Sequence, residues 1–349
     1  MKIAMISYYL PSGSKIGVGY QAHEIASALA ARGHDVHMFS ACPPVDGAVY
    51  EHHLVDPGPR LRTFAFAFRL RALDFSGYDV VHAHGDDYLL WGRRMPRHVR
   101  TIHGSCFEEA LRIRGGYERL RMLLLGFSEV LASLVADASV AVSPQTRRWT
   151  PWVRRVIPNG VDAGRFRPEP GERAQRPTIL FVGTWGNRKR GGELAAAFQR
   201  SVLPVIPDAE LEMVCRDAPD EPGLGIRILG RLDDQQLAAA YRRAWVFCLP
   251  SAYEGFGIPY AEALSSGTPV IATPNVGARY VTDDGRAGVL APLDDLGAEL
   301  VELLRDADRR DDLTGVGLER ARSFDLDTVV EQYERLYSAG PDRAFAATR

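Results

Sequence analysis

Leu249-Pro-Ser-Ala-Tyr-Glu-Gly-Phe-Gly-Ile-Pro-Tyr-Ala-Glu-Ala-Leu-Ser-Ser-Gly-Thr-Pro-Val-Ile-Ala-Thr273 is the stretch on which the reading of this chain turns. Apolar runs at both ends and a glycine-rich centre predict strand, loop, helix, turn and strand. Pro259 fits the first helical position and Gly267 the stop. The loop Glu254-Gly255-Phe256-Gly257 then sits at a helix N-terminus, where small residues leave backbone N–H groups uncovered. Free amides and the helix dipole attract an anion; the dipole contributes ~0.3–1 kcal/mol, up to ~2 when partly buried. Glu254 and Glu262 flank that site. Carboxylates are poor phosphate ligands but good acceptors for sugar hydroxyls. A nucleotide sugar has this layout: sugar, diphosphate, ribose. The bland alternative is a structural glycine turn with two solvated glutamates.

Outward from this segment the chain repeats one pattern. A strand, Ile3 to Tyr9, leads into the glycine-rich run Ser12-Gly13-Ser14-Lys15-Ile16-Gly17-Val18-Gly19. A helix follows, with Ala22, Ile25, Ala26 and Leu29 on one face and Gly33 as its C-cap. Asp35 to Ser40 is the next strand. Further strands are expected at Asp79–His84, Val99–Ile102, Ser139–Val142 and Arg154–Ile157, with one long helix over about 106–137. Phe166 to Pro177 is Pro-rich and charged, as a linker is. Strands then recur at Thr178–Gly183, Leu211–Arg216, Ile226–Gly230, Val246–Pro250, Pro269–Thr273 and Gly288–Leu290. Short apolar strands alternating with helices predict an α/β protein of two Rossmann-like, doubly wound parallel-sheet domains. The expected domains are 1–164 and 165–325, with the final helix, about 326–349, returning to the first. Ligand sites in such sheets lie at the carboxyl ends of the strands, and two facing domains would place both sets of loops on a central cleft.

Composition excludes several classes. The chain has 349 residues, 46% of them hydrophobic, and a net charge of -2, so it has material for a large core and no footprint for nucleic acid. No run approaches the ~20 apolar residues of a membrane span, and the N-terminus lacks a signal peptide's longer apolar region and cleavage site. A soluble, cytoplasmic protein is expected. Cys42, Cys106, Cys215 and Cys248 match no metal spacing, and Cys215 and Cys248 read as buried free thiols. Lysine occurs only at Lys2, Lys15 and Lys189, which singles out Lys189 among many arginines.

The segment from Glu254 to Glu262 resembles the E-x7-E motif of retaining GT-B glycosyltransferases, family 4 in particular, and the likeness extends over nearly the whole chain. The resemblance implies a GT-B fold and a hexosyltransferase-type enzyme. It gives Glu254 a donor-sugar contact, Glu262 the ribose, and the amides of Gly255, Phe256 and Gly257 the diphosphate. In Phe181-Val-Gly-Thr-Trp-Gly-Asn-Arg-Lys-Arg-Gly-Gly192, Lys189 matches the family lysine that neutralises the leaving group. Thr184 stands where the family has arginine, and Arg188 or Arg190 is the candidate replacement. Gly17 and Gly19 match the N-terminal glycine loop. His103 matches a histidine near the reacting carbon, Asn159 a turn near the domain boundary, and Arg231 and Leu232 the base-binding edge. Arg279 and Tyr280 depart from the family pattern at Gly277-Ala-Arg-Tyr280. Ala22 in place of the last glycine breaks G-x-G-x-x-G, which argues against a dinucleotide site.

His84 and Asp86, in Val81-His-Ala-His-Gly-Asp-Asp87, are candidates for acceptor contacts or packing; His82, His84, Asp86 and Asp87 could also be read as a metal cluster. The family generally needs no metal, and no cofactor is expected beyond the nucleotide-sugar donor. The implied reaction is retaining transfer, with UDP the expected nucleotide, to a hydroxyl of a small molecule, lipid-linked sugar or polysaccharide. A GT-B nucleotide-sugar 2-epimerase and a non-catalytic sugar-nucleotide-binding protein are the alternatives. The aromatic and basic stretches Phe64–Arg71 and Arg112–Arg121 suggest peripheral contact with a membrane or an acidic acceptor, against a bland reading as solvated helix faces. Oligomeric state is not legible.

Overall fold

In the computed structural model, residues 1–13, 17–93, 95–111, 113 and 115–339 are described. Ser14, Lys15 and Ile16 of the glycine run, Arg112 and Arg114, and 340–349 of the expected final helix lie outside them. The chain divides into two compact units, Met1–Gly160 with Leu326–Arg349, and Val161–Asp325. The division falls at Gly160, ahead of the Pro-rich segment.

Among the described residues the first unit holds seven strands: β1 Lys2–Ile6, β2 Asp35–Ser40, β3 Glu51–Leu54, β4 Val80–Ala83, β5 Arg97–Ile102, β6 Ala138–Ala141 and β7 Arg155–Val156. Their order is β3-β2-β1-β4-β5-β6-β7, every pair parallel. The predicted helical face is the buried one: Ala22, Ile25, Ala26 and Leu29 of the helix Gly17–Ala31 pack in one core with Ile3 and Met5 of β1. Gly33, at φ 87°, ends that helix as expected, because a left-handed backbone favours glycine. The helix Leu326–Ser338 closes the same core with Val329, Val330, Tyr333, Leu336 and Tyr337.

Three expectations for this unit need correction. β3 is a strand that apolar patterning does not reveal, since Glu-His-His-Leu presents no apolar run. The long helix over 106–137 is two helices, Cys106–Ala110 and Gly116–Val135; Gly115 and Gly116 interrupt it, as helix-breaking glycines do. Gly17 and Gly19 stand in the first helical turn and not in a loop. A Cβ on Gly19 would lie 2.8 Å from the backbone of Tyr9, so only glycine lets this turn press against the chain leaving β1.

The second unit holds β8 Thr178–Val182, β9 Glu210–Val214, β10 Ile226–Ile228, β11 Val246–Leu249, β12 Val270–Ala272 and β13 Val289–Leu290, in the order β10-β9-β8-β11-β12-β13, again all parallel. Both sheets reverse direction at one place, between β1 and β4 in the first and between β8 and β11 in the second. Connections on either side of such a reversal leave in opposite directions and open a crevice at the carboxyl ends. The loops after β8 and β11 carry Lys189 and Glu254.

Candidate functional site

In the second unit the loop after β8 is held in a fixed shape. Asp217 accepts hydrogen bonds from the N–H groups of Trp185 (2.8 Å) and Gly186 (3.4 Å). Asn187 and Arg190 adopt left-handed backbone, φ 58° and 59°, and bracket a tight turn that presents Arg188 and Lys189. The Lys189 stem lies over Gly183, where a Cβ would come within 3.2 Å of it. The N–H of Ala252 donates to the carbonyl of Arg188 at 2.7 Å, which ties this turn to the loop after β11.

That tie brings the charges together. Lys189 Nζ stands 2.7 Å and an Arg188 guanidinium nitrogen 2.8 Å from the same oxygen, Glu254 Oε1. Arg188 also donates to the Tyr253 carbonyl at 2.8 Å. Glu254 is buried. Burial alone would raise its carboxyl pKa, but the Lys189 and Arg188 charges and their hydrogen bonds outweigh it and hold the pKa below the usual range. Burial pulls the Lys189 ammonium down, against the opposing pull of Glu254. Two cations on one carboxylate leave a net positive site.

The loop from Glu254 to Gly257 is pressed onto the helix Val276–Val281. The N–H of Gly277 donates to the Glu254 carbonyl at 2.9 Å, and a Cβ on Gly277 would lie 2.4 Å from the Phe256 carbonyl oxygen. Gly257, at φ 93°, is the residue before the helix Ile258–Ser265, and no side chain caps that end. Pro259 is the second helical residue and not the first; its missing N–H costs nothing there either. Gly267, at φ 71°, closes the helix, its N–H donating to Leu264 O. Phe256 and Gly257 thus offer main-chain N–H groups at a helix N-terminus beside two cations, an arrangement suited to an anion.

Glu262, one turn into the helix, accepts from the Tyr241 hydroxyl at 2.8 Å. Burial raises its pKa to about 7, helped by the Asp234 charge and opposed by that hydrogen bond, Arg165 and Lys189. Lys189, Glu254 and Glu262 therefore share one electrostatic neighbourhood. Arg231 and Leu232 lie beyond β10, ahead of the helix Asp234–Arg243, with Arg231 exposed. Arg279, in place of the family glutamate pattern, is turned to Asp284 (3.3 Å). The Tyr280 ring packs on Phe256, centroids 5.9 Å apart, so this departure supports the anion loop from behind. Sequence reasoning missed both roles.

The first unit gathers its polar residues in the loops after β4 and β5. His84 Nδ1 and His103 Nε2 are 2.9 Å apart. His82 bridges the Tyr337 hydroxyl (2.7 Å) and Thr101 (2.8 Å), and Thr101 meets Tyr333 at 2.9 Å. Burial lowers His82 to about 3 and His103 to about 4, the latter against an upward pull from Asn159 beside it. The cluster is neutral at physiological pH. Asp86, at φ 63°, accepts from the Tyr8 N–H at 3.3 Å, and burial raises it to about 7. Asp87 instead pairs with His98 (2.9 Å) and with buried Arg100. The possible metal cluster of His82, His84, Asp86 and Asp87 is thus not assembled: His82 is committed to hydroxyls and Asp87 to His98 and Arg100. Of the four cysteines, Cys215 and Cys248 are buried free thiols, as expected.

Residues 16–165 match Glycosyltransferase Family 4, and residues 176–306 match Glycosyl transferases group 1. The chain belongs to glycosyltransferase family 4. The phosphatidyl-myo-inositol mannosyltransferase of Mycobacterium leprae is 29% identical to this glycosyltransferase, over 97% of this chain and 96% of that protein. Its Mycolicibacterium smegmatis counterpart is 34% identical over 57% of this chain; that match spans only 56% of the relative's length. Among solved structures, sucrose-phosphate synthase of Thermosynechococcus elongatus aligns with a TM-score of 0.80 at 24% identity, covering 99% of this chain and all of that one. Anabaena HepE, solved with UDP-glucose, aligns at 0.76 and 16%, covering 97% and 100%. The GT-B fold and the reading as a hexosyltransferase-type enzyme stand with these matches. Among the described residues, no helix is long and apolar enough to cross a membrane.

The carboxyl groups make the unit's stability pH-dependent in two directions. Glu262, raised to about 7 when folded, keeps its proton where an unfolded glutamate, near ~4.3, has lost it. Stability should therefore fall as pH rises between those values. Glu254, held low, contributes stability above the unfolded value that is lost as pH falls through the folded one. Urea denaturation from pH 4.5 to 7.5 should show a slope that Glu262→Gln flattens. An unchanged slope in that variant would show that Glu262 is not the buried acid described.

Proposed function

We propose that this chain transfers a hexosyl group, with retention at the anomeric carbon, from a uridine diphosphate sugar to a hydroxyl of a lipid-linked acceptor. The observation that carries the reading is the convergence of Lys189 and Arg188 on Glu254, beside the amides of Phe256 and Gly257. The diphosphate sits on those amides and draws the two cations, with Arg188 supplying the charge absent at Thr184. Glu254 then faces the sugar hydroxyls and Glu262 the ribose, while Arg231 and Leu232 edge the base. The bond from the anomeric carbon to the phosphate oxygen breaks with its electrons on the phosphate. Fixed cations and amides stabilise that charge without reorganising. The acceptor hydroxyl attacks the same face and gives its proton to the leaving phosphate. No carboxylate nucleophile is needed. The cations replace a metal, and buried neutral His103 and Asn159 contribute hydrogen bonds. Gly17 and Gly19 supply close backbone approach, and His84 and Asp86 acceptor contacts.

HepE was solved with UDP-glucose, which supports uridine in the donor. The mycobacterial relatives are named for a phospholipid acceptor, which supports a lipid-linked acceptor here and an enzyme working at a membrane surface. The first unit has a surface for that. On the helix Gly116–Val135, Tyr117, Leu120, Leu124, Phe127, Leu131 and Leu134 are 37–71% exposed. Their 3–4 spacing makes one stripe ~26 Å long at 1.5 Å per residue. The helix Arg62–Ala72 shares a core cluster with it and adds exposed Phe68 with Arg62, Arg69 and Arg71. An apolar stripe beside arginines fits an anionic lipid surface.

Each charge-assisted bond to the diphosphate contributes about 1.5–3 kcal/mol, or roughly ten- to hundredfold in affinity. Lys189→Ala should therefore weaken UDP binding by that factor and remove most turnover with the fold intact; chelation by EDTA should leave wild-type turnover unchanged. A thermal-shift series of uridine, guanosine and thymidine diphosphates identifies the base. Full activity in Lys189→Ala would defeat the mechanism, and sugar release or epimerisation without acceptor would favour the alternative enzymes.

Vesicle sedimentation tests the surface. Binding to phosphatidylglycerol vesicles and not to phosphatidylcholine is expected, with loss in Leu124→Glu/Phe127→Glu. Equal binding by that variant would show that the stripe is not the contact.

A further inference from the structure

Two neighbouring parallel strands of the first unit carry the same short pattern. β2 begins Asp35-Val36-His37 and β3 begins Glu51-His52-His53. Residues two apart on a strand share a face, and the register sets His37 opposite Glu51. Asp35, His37, Glu51 and His53 therefore meet on one face, near the amino-terminal end of β2, at the end of the sheet away from the carboxyl-end loops. Three ligand atoms converge there. His37 Nδ1 is 2.8 Å from His53 Nε2 and 3.6 Å from Glu51 Oε2, and His53 Nε2 is 3.3 Å from Glu51 Oε1. A zinc ion with ligands at 2.0–2.1 Å in tetrahedral array holds them ~3.3 Å apart, the middle of that range. Among the described residues, no other group of three or more histidine, cysteine or carboxylate side chains comes together this way.

Supporting groups are also in place. His37 Nε2 lies 3.1 Å from Asp35 Oδ1. That carboxylate accepts a hydrogen bond from Nε2–H and leaves the Nδ1 lone pair facing the cluster, the arrangement that orients metal-bound histidines. The His53 ring stacks on Phe39, centroids 4.6 Å apart, and Tyr78 stands edge-on to His37 at 5.2 Å, so both rings are held in place. In the absence of metal the two imidazoles share a hydrogen bond. The charges of Asp35 and Glu51, offset by Lys2 3.8 Å from Asp35, leave the site net negative. Burial lowers the His53 pKa, with Glu51 pulling it up, which favours the neutral, ligating form.

We propose that His37, His53 and Glu51 form a binding site for a divalent transition metal of the zinc type, with water in the fourth position, separate from the transfer site. Metal here would clamp edge strand β3 to β2. Metal entry requires His53 to move its proton from Nε2 to Nδ1, with no other bond made or broken.

Cobalt(II) titrated into the untagged, full-length protein tests this. One equivalent should bind with the visible absorption of a tetrahedral site, be displaced by Zn2+, and raise the melting temperature. His53→Ala should weaken binding at least tenfold, and Glu51→Gln several-fold, with His23→Ala unchanged. If His53→Ala fails to fold by circular dichroism, His53→Gln takes its place. Cobalt bound equally by wild type and by the His53 variant, or with no tetrahedral spectrum, would overturn the proposal. Glycosyl transfer is read in parallel: retained transfer after chelation, with cobalt binding lost, separates this site from the transfer reaction.

Discussion

One carboxylate organises the second unit's site. Glu254 is buried and holds two cations on a single oxygen, which would be costly if any member were missing, because an unpaired buried charge loses its solvation. The triad fixes the loop after β8 against the loop after β11 before any ligand arrives. It also stores positive charge beside the main chain of Phe256 and Gly257, at the start of the helix Ile258–Ser265. A ligand with a diphosphate can share those cations with Glu254, so the same contacts that stabilise the unit are available to charge developing on a leaving group. The position follows from topology: both loops leave the sheet where its strand order reverses, and no other pair of adjacent strands in that sheet opens such a crevice.

The first unit answers with a different chemistry. β4 and the loops after β4 and β5 carry histidines stripped of charge by burial; His82 of β4 and Thr101 of β5 are coupled to the hydroxyls of Tyr337 and Tyr333 in the helix Leu326–Ser338. Tyr333 and Tyr337 thus serve the core and the polar network together, which explains why the helix Leu326–Ser338 belongs to the first unit. Neutral imidazoles and an acid raised to about 7 suit hydrogen bonding to hydroxyls more than binding of phosphate. The two units thus differ in chemistry: the second gathers cations on a carboxylate, the first neutral donors and acceptors.

Much of this was legible in the sequence because it rests on spacing. Ala22, Ile25, Ala26 and Leu29 announced their helix by period, and Pro259 and Gly267 announced the start and stop of the helix Ile258–Ser265 by residue type. What escaped had no local signal. β3, Glu51-His-His-Leu54, has a single apolar residue, itself exposed, and pairs because β2 lies beside it. The break at Gly115 and Gly116 was outweighed by apolar residues on either side, many of which turned out to face outward. Pairing of Arg188 with Glu254 depends on two left-handed residues, Asn187 and Arg190, that neither residue type predicts. The roles of Arg279 and Tyr280 could be seen only once their partners, Asp284 and Phe256, were in place. Repetition of Asp-x-His and Glu-x-His at Asp35 and Glu51 was visible throughout, but meaningless until two strands were known to be neighbours.

A crystal structure with a nucleoside diphosphate bound is the most direct test of the account's central claim. The phosphates should lie within hydrogen-bonding distance of the Phe256 and Gly257 amides and of Lys189 Nζ, with the ribose hydroxyls at Glu262. Phosphates held elsewhere, with Lys189 and Arg188 still paired only to Glu254, would contradict it.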